Sequence, residues 1–326
     1  MRAAYVSWID YHGRSEGFIE RLGLTPIYVK YLRQQDIVSA PLKYGPQMIS
    51  TLRRLYEVKP EVVFVMDPPV FAAAAVFLYC LVRRARYVMD CHSGVFNSRK
   101  WRWSLPIQRF LARRAAAVLV TNHSHLSEVL SWHAKGLIVG DPPPTLPTPN
   151  VRSARPGAPF VFVIGVFGED EDVPMVLEAA ARLPGVEFRV SGDTRRARRA
   201  WLDSHPLNVK FTGFLSTNDF WSHVGGALAV LTLTTREDTI LRGGWEAMFM
   251  EQPLITSNTS ALRRYFTRGT VFVDHNPDSI AAGVGYALSH QEELRIQARG
   301  LREEKYATWC EEREDLVRLT GLQFPR

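Results

Sequence analysis

Cysteine is scarce in this chain. Cys80, Cys91 and Cys310 are the only three among 326 residues, they lie far apart, and none forms a CxxC pair. That spacing gives no support to a disulfide framework or a zinc site, and it suits a reducing, cytoplasmic setting. Long apolar runs are also missing. Residues 70–82 are strongly apolar but too few for a confident membrane span, and Arg83 and Arg84 close the run, so it reads as a buried helix. Residues 1–6 read as a first strand, without the basic, long apolar and small-residue regions of a signal peptide. What is present argues for a folded protein throughout: 46% of residues are hydrophobic and 11% aromatic. A length of 326 residues sets the expectation of two domains, each with its own core.

The formal net charge is +7, and the basic residues cluster at 83–86, 99–102, 109–114 and 195–199. Such clusters suit an anionic partner, and the sign alone does not choose between phosphate, nucleic acid and acidic lipid.

Short apolar runs alternate with helical patterns along the first half. The expected strands are 3–8, 25–29, 62–66, 87–90, 117–121 and 136–139, and the expected helices 14–22, 47–56, 71–83, 105–114 and 124–132. Continuous Val- and Ile-rich runs separated by helices predict a parallel sheet covered on both faces. After a Pro-rich stretch the alternation restarts, with strands at 160–165, 186–191, 209–212 and 270–273 and helices at 173–183 and 277–288. The fold class is therefore α/β, with two doubly wound Rossmann-like domains facing a cleft. The expected division is 1–145, a linker at 146–159, and 160–303, with a C-terminal helix at about 304–326 packing back on the first domain.

The densest chemical signal is residues 234–248. An apolar run at 227–233 leads into Glu237, Asp238, Thr239, Arg242, Gly243 and Gly244, then a helix carrying Glu246, then Pro253 and another apolar run. This predicts a βαβ unit whose Gly-Gly loop brings backbone close to a ligand. Free amides at a helix start bind phosphate, while carboxylates accept hydrogen bonds from sugar hydroxyls. A nucleotide sugar offers both. Glu246 also fits a plainer role, a first-turn acid complementing the helix dipole.

These segments together resemble the GT-B glycosyltransferases, in particular the retaining, nucleotide-sugar-dependent family 4. The resemblance is carried by Phe188 through Asp193 with Gly192, by Val209 through Phe214, and by the acid-x7-Glu segment from Asp238 to Glu246. Pro253 through Ser257 and Gly269 through Val273 continue the order, and Asp90-Cys91-His92-Ser93-Gly94 resembles the first domain's fourth strand with its cleft histidine. The resemblance implies that Glu246 binds the donor ribose and that Asp238, where the family has Glu, contacts the donor sugar, with Glu237 the alternative one residue away. Gly165, Gly192, Thr239, Arg242, Gly243 and Gly244 complete the implied donor site. The family's basic pair after the first strand of the second domain is absent. Glu169-Asp170-Glu171-Asp172 stands there instead, so diphosphate charge must be met elsewhere, by Arg242, by Arg195 and Arg196, or by helix amides.

His92, just past a strand end, is placed to hydrogen-bond the donor, though a structural role is as common for a lone histidine. Asp10, His12 and Arg14 follow the first strand and, with Asp90, are expected to contact acceptor or diphosphate. Arg99, Lys100, Trp101, Arg102 and Trp103 interleave cations with indoles, which suits an anionic membrane surface, RNA stacking or ordinary surface packing. The resemblance favours the membrane, and no RNA-binding motif accompanies the segment, so no nucleic-acid partner is expected.

The expected activity is transfer of a sugar from a nucleoside-diphosphate sugar to a saccharide or polyprenyl-linked acceptor in cell-surface polysaccharide assembly. No tightly bound cofactor and no metal are expected. A nucleotide-sugar epimerase on the same fold and a non-catalytic partner subunit are the alternatives.

Overall fold

The computed structural model describes residues 2–9, 12–30, 40–145, 159–165 and 167–322. Asp10 lies outside these, as does the expected linker except for its last residue. The chain divides into two compact units, Met1–Pro143 with Thr308–Arg326, and Pro144–Ala307.

The first unit holds strands β1 (Ala3–Ser7), β2 (Thr25–Tyr28), β3 (Val62–Asp67), β4 (Arg86–Cys91), β5 (Ala117–Val120) and β6 (Gly136–Ile138). Its helices are α1 (Gly13–Leu22), α2 (Ala40–Val58), α3 (Val70–Arg83), α4 (Ser93–Asn97), α5 (Leu105–Ala112) and α6 (His123–Ser131). The six strands are parallel, in the order β2-β1-β3-β4-β5-β6. The central strands are mostly apolar because both faces are covered. In β3, Val63 and Val65 pack with Val70, Val76 and Leu111, whereas Val62, Phe64 and Met66 pack with Phe18, Leu22 and the C-terminal Leu316 and Leu322.

The second unit holds β7 (Phe160–Ile164), β8 (Glu187–Ser191), β9 (Val209–Gly213), β10 (Ala229–Thr232), β11 (Leu254–Ser257) and β12 (Thr270–Val273). Its helices are α7 (Val173–Ala181), α8 (Arg199–Asp203), α9 (Thr217–Gly226), α10 (Arg242–Phe249), α11 (Ser260–Tyr265) and α12 (Pro277–Ser289), and α13 (Gln291–Thr320) begins here. The parallel order is β12-β11-β10-β7-β8-β9. Helix α9 is an addition to the expected elements. Its start is set by Ser216, whose hydroxyl accepts the Asp219 amide at 3.2 Å and donates to the Asp219 carboxylate at 2.6 Å.

Strand order reverses between β1 and β3 in the first unit and between β7 and β10 in the second. In open parallel sheets the crevice outside the strand C-termini at that reversal is where ligands bind. The chemistry-bearing residues of each unit collect beside these positions.

Candidate functional site

In the second unit, the loops after β7 and β10 are joined. The Asp170 carboxylate accepts the Thr234 hydroxyl at 2.7 Å and faces the Arg236 guanidinium at 3.0 Å, while its carbonyl accepts the Thr235 amide at 2.9 Å. Glu171 accepts the Gly168 amide at 3.2 Å. The Asp172 carboxylate lies 2.5 Å from His275 Nδ1, and His275 Nε2 lies 3.0 Å from the Thr234 carbonyl. The acidic run therefore ties the two loops together, and each of these three acids already has a partner. His275 escapes a sequence reading because its partners lie 103 and 41 residues away.

Gly243 and Gly244, expected in a loop, lie in the first turn of α10, which starts at Arg242. The reason is close packing. A Cβ on Gly243 would sit 3.0 Å from Ile164 Cγ2 and 3.2 Å from Thr232 Oγ1, and one on Gly244 would sit 2.9 Å from the Phe266 ring. Without side chains there, α10 presses its first turn onto the ends of β7 and β10, and that turn's amides have no helical partner of their own. Gly192 serves a related purpose after β8. Its φ of +138° is open to glycine, and a Cβ would sit 2.7 Å from the Phe167 ring and 2.8 Å from the Gly165 carbonyl.

Glu246 does not stand at the very start of α10. It lies one turn in, buried, and accepts from Arg242 Nε at 3.2 Å across an i,i+4 pair. Arg242 also stacks over the Trp245 ring, 5.4 Å from its centroid. Arg242 is thus a helix residue held against Glu246, a correction to its expected place in a loop. Asp238 and Thr239 are partly buried, and the Thr239 hydroxyl oxygen is buried with no partner among the described residues. Glu237, the alternative to Asp238, is exposed and accepts the Ser260 amide at 3.2 Å, which places it on the start of α11. Arg195 forms a bidentate pair with Asp193, at 2.7 and 2.6 Å, on the surface.

In the first unit the structure gathers Arg14, Asp90 and His92, with His12 beside them. Arg14, expected to contact acceptor or diphosphate, is a buried brace. Its Nε donates to Asp90 and its Nη1 to Asp141, both at 2.9 Å, and only Nη2 lacks a partner among the described residues. Asp90 is likewise fully buried, accepting from the Tyr5 hydroxyl at 2.6 Å, with His92 Nε2 at 3.4 Å. Burial works to raise its pKa, but Arg14, then His92 nearby, then the Tyr5 hydrogen bond outweigh it and hold the carboxyl below its ordinary range. His92 is partly buried, its Nε2 turned toward Asp90 and its ring edge-on to the His12 ring at 4.5 Å.

Asp67 belongs to this cluster although the sequence reading passed over it. It ends β3, is fully buried, and accepts from Gln108 Nε2 at 3.1 Å. Burial pushes its pKa up to about 7, against the Gln108 hydrogen bond and the His92 charge. The available signal was Asp67-Pro68-Pro69, a carboxylate directly after an apolar strand.

The aromatic-cationic stretch splits. Trp103 is 56% exposed, whereas Trp101 is partly buried and packs toward Tyr44, with Lys100 over its ring at 5.7 Å. Arg99, Lys100 and Arg102 are exposed. Among the described residues, no helix is long and apolar enough to cross a membrane, and no group of three or more His, Cys, Asp and Glu side chains is arranged to hold a metal ion.

Residues 174–315 match a family model described as glycosyl transferase-like. No curated protein matches this chain. Among solved structures it is similar to Anabaena Alr3699/HepE in complex with UDP and glucose, at 12% identity over 99% of this chain and 100% of that one, with a TM-score of 0.72. It is also similar to sucrose-phosphate synthase from Thermosynechococcus elongatus, at 13% identity over 97% and 85%, with a TM-score of 0.70. A third is a mutant of S. aureus TarM in complex with fondaparinux, alpha-GlcNAc-glycerol and UDP, at 14% identity over 85% and 59%, with a TM-score of 0.63. The fold is that of the GT-B glycosyltransferases, two Rossmann-like domains with parallel six-stranded sheets.

Proposed function

We propose that this chain transfers a sugar from a uridine-diphosphate sugar to a saccharide or polyprenyl-linked acceptor in cell-surface polysaccharide assembly. The observation that carries this is the placing of α10's first turn, Arg242 and Glu246 at the strand-order reversal of the second unit, inside the segment that matches the glycosyl transferase-like family. The fold neighbours in complex with UDP and glucose or with UDP support uridine diphosphate as the leaving group. The epimerase alternative is not favoured, since the family match is to glycosyl transferases.

In this proposal the α10 amides and Arg242 take the diphosphate, Glu246 accepts from the ribose, and Asp238 with the unpartnered Thr239 hydroxyl contacts the sugar. The acceptor hydroxyl oxygen bonds to the anomeric carbon as the carbon–phosphate oxygen bond breaks, and the hydroxyl proton passes to the departing diphosphate. Donors aimed at that developing charge lower the barrier. The anomeric configuration is retained, as in the enzymes the motifs resemble. No metal is required, the acids at 170–172 being occupied by protein partners. The setting is cytoplasmic, with Arg99 through Trp103 touching the inner face of an anionic membrane.

Replacing Arg242 with Gln is expected to weaken binding of UDP by about 1.5–3 kcal/mol, the range for a hydrogen bond to a charged group. Binding of uridine should change by less than a third of that. Calorimetric titration of both ligands decides: equal losses would make Arg242 a structural partner of Glu246 and nothing more.

A further inference from the structure

Helix α3 carries the sequence VFAAAAVFLYCLVR, apolar on every side until its last residue. Such a helix is ordinarily buried all round, and burial was the expectation for it. One face is open instead. Leu78, Leu81 and Val82 are 44%, 65% and 69% exposed, and with Phe71 and Ala74 they recur at i, i+3, i+7, i+10 and i+11, a single stripe. A second stripe lies alongside. Trp103, Ile107 and Phe110 stand at i, i+4 and i+7 across the turn Arg99–Ser104 and α5, each more than two-fifths exposed. A ring contact joins the two stripes, Phe71 to Trp103 at 5.9 Å, and Phe77 beside the first stripe meets Phe110 at 5.7 Å.

The charge around this ridge has one sign. Residues 68–116 contain nine Lys and Arg side chains and a single acid, Asp90, which is fully buried and paired with Arg14. Arg83 follows Val82, Arg102 precedes Trp103, and the Arg114 guanidinium lies 3.7 Å from the Phe110 ring centroid. Glu128 on α6 is the acid that bears on Arg109 from a neighbouring element. An apolar ridge rimmed by cations, with no exposed acid in its own segment, complements a surface that is anionic at the headgroups and apolar beneath them. At 14 residues, α3 is about 21 Å long. That is short of the roughly 30 Å hydrocarbon core, so it lies in the interface plane and does not span.

Deepening the membrane contact proposed above for Arg99 through Trp103, we infer that the α3–α5 face is the lipid-docking surface. Leu78, Leu81, Ile107, Phe110 and Trp103 enter an anionic bilayer, and the flanking arginines pair with lipid phosphate. The sequence-marked stretch is only its edge, since Trp101 packs inward. Aromatic and aliphatic side chains sit at the headgroup boundary while long cationic side chains reach the phosphates, the arrangement that makes binding additive in apolar area and charge.

The test is co-sedimentation of the full chain with vesicles of equimolar phosphatidylglycerol and phosphatidylcholine, and with pure phosphatidylcholine vesicles. The chain is expected to pellet with the anionic vesicles only, and less so as salt is raised. At about fivefold per cation, an Arg83→Gln/Arg102→Gln/Arg114→Gln variant should lose roughly a hundredfold in partitioning. A Leu81→Ser/Phe110→Ser variant should lose at least tenfold. Hydrogen exchange of the unmodified chain should slow at 78–84 and 102–114 when the anionic vesicles are added, a readout that needs no variant. No pelleting, undiminished pelleting by either variant, or protection elsewhere would overturn the inference. So would a self-associating dimer that the same substitutions abolish while vesicles go unbound. Pelleting without a UDP-induced thermal shift would sink the donor assignment and leave the docking face standing, and a UDP shift without pelleting would do the reverse.

Discussion

Replacing Asp90 with Ala is expected to destabilise the protein by about 3–5 kcal/mol, the cost of leaving a buried charge without its partner. Arg14 is 3% exposed and would keep only Asp141, and the Tyr5 hydroxyl, which accepts from Ser15 at 3.0 Å, would lose its 2.6 Å acceptor. The effect should be largest in β1, β3 and β4, where hydrogen exchange reads it directly alongside the urea midpoint. Replacing the pair together, Arg14→Met with Asp90→Leu, should recover most of the loss, because the uncompensated charge is then gone. A loss below about 1 kcal/mol in Asp90→Ala, or no recovery in the double variant, would mean the network is not the brace described. The pH sign follows from the lowered pKa of Asp90: its contribution is present above the ordinary carboxylate range and is lost only as pH falls below it.

Asp67 acts in the opposite direction. Its pKa is raised to about 7 by burial, so its contribution is full below the unfolded value near 4 and is lost as pH rises through about 7. Over that window the group should remove on the order of a few kcal/mol of stability. Asp67→Asn keeps an oxygen for the 3.1 Å hydrogen bond from Gln108 Nε2. The variant is therefore expected to match the parent near pH 4, to exceed it by a few kcal/mol at about pH 8.5, and to show a flatter profile between. Urea midpoints at the two pH values measure this. Parallel profiles for parent and variant would show that Asp67 stays ionised in the fold.

The twelve strands were legible because most are short apolar runs, the central ones covered on both faces, a pattern that survives without knowledge of neighbours. The strand-end positions of Asp90, His92 and residues 234–246 were legible for the same reason. Gly243 and Gly244 were not, since glycine at a helix start reads as a loop by local preference, and only the approach of Ile164 and Phe266 explains why the helix already begins at Arg242. Arg14 looked like a ligand contact because its sequence position follows a strand; its two acids lie 76 and 127 residues away and meet it only in the fold. The open face of α3 was hidden by its composition, for an all-apolar helix looks buried whichever side is covered. Asp67 is the residue that sequence alone offered and that was passed over.

The most direct test of the central claim is calorimetric titration of UDP into the full chain in EDTA, run beside Glu246→Gln. The proposed donor site predicts saturable one-to-one binding without metal, weakened about tenfold or more in the variant, at the roughly 1.4 kcal/mol that separates decades of affinity. Absence of binding in EDTA that magnesium restores would contradict the metal-free site. Absence of UDP binding under both conditions, or equal affinity in the two proteins, would contradict the assignment of Glu246 and the α10 turn as the donor site.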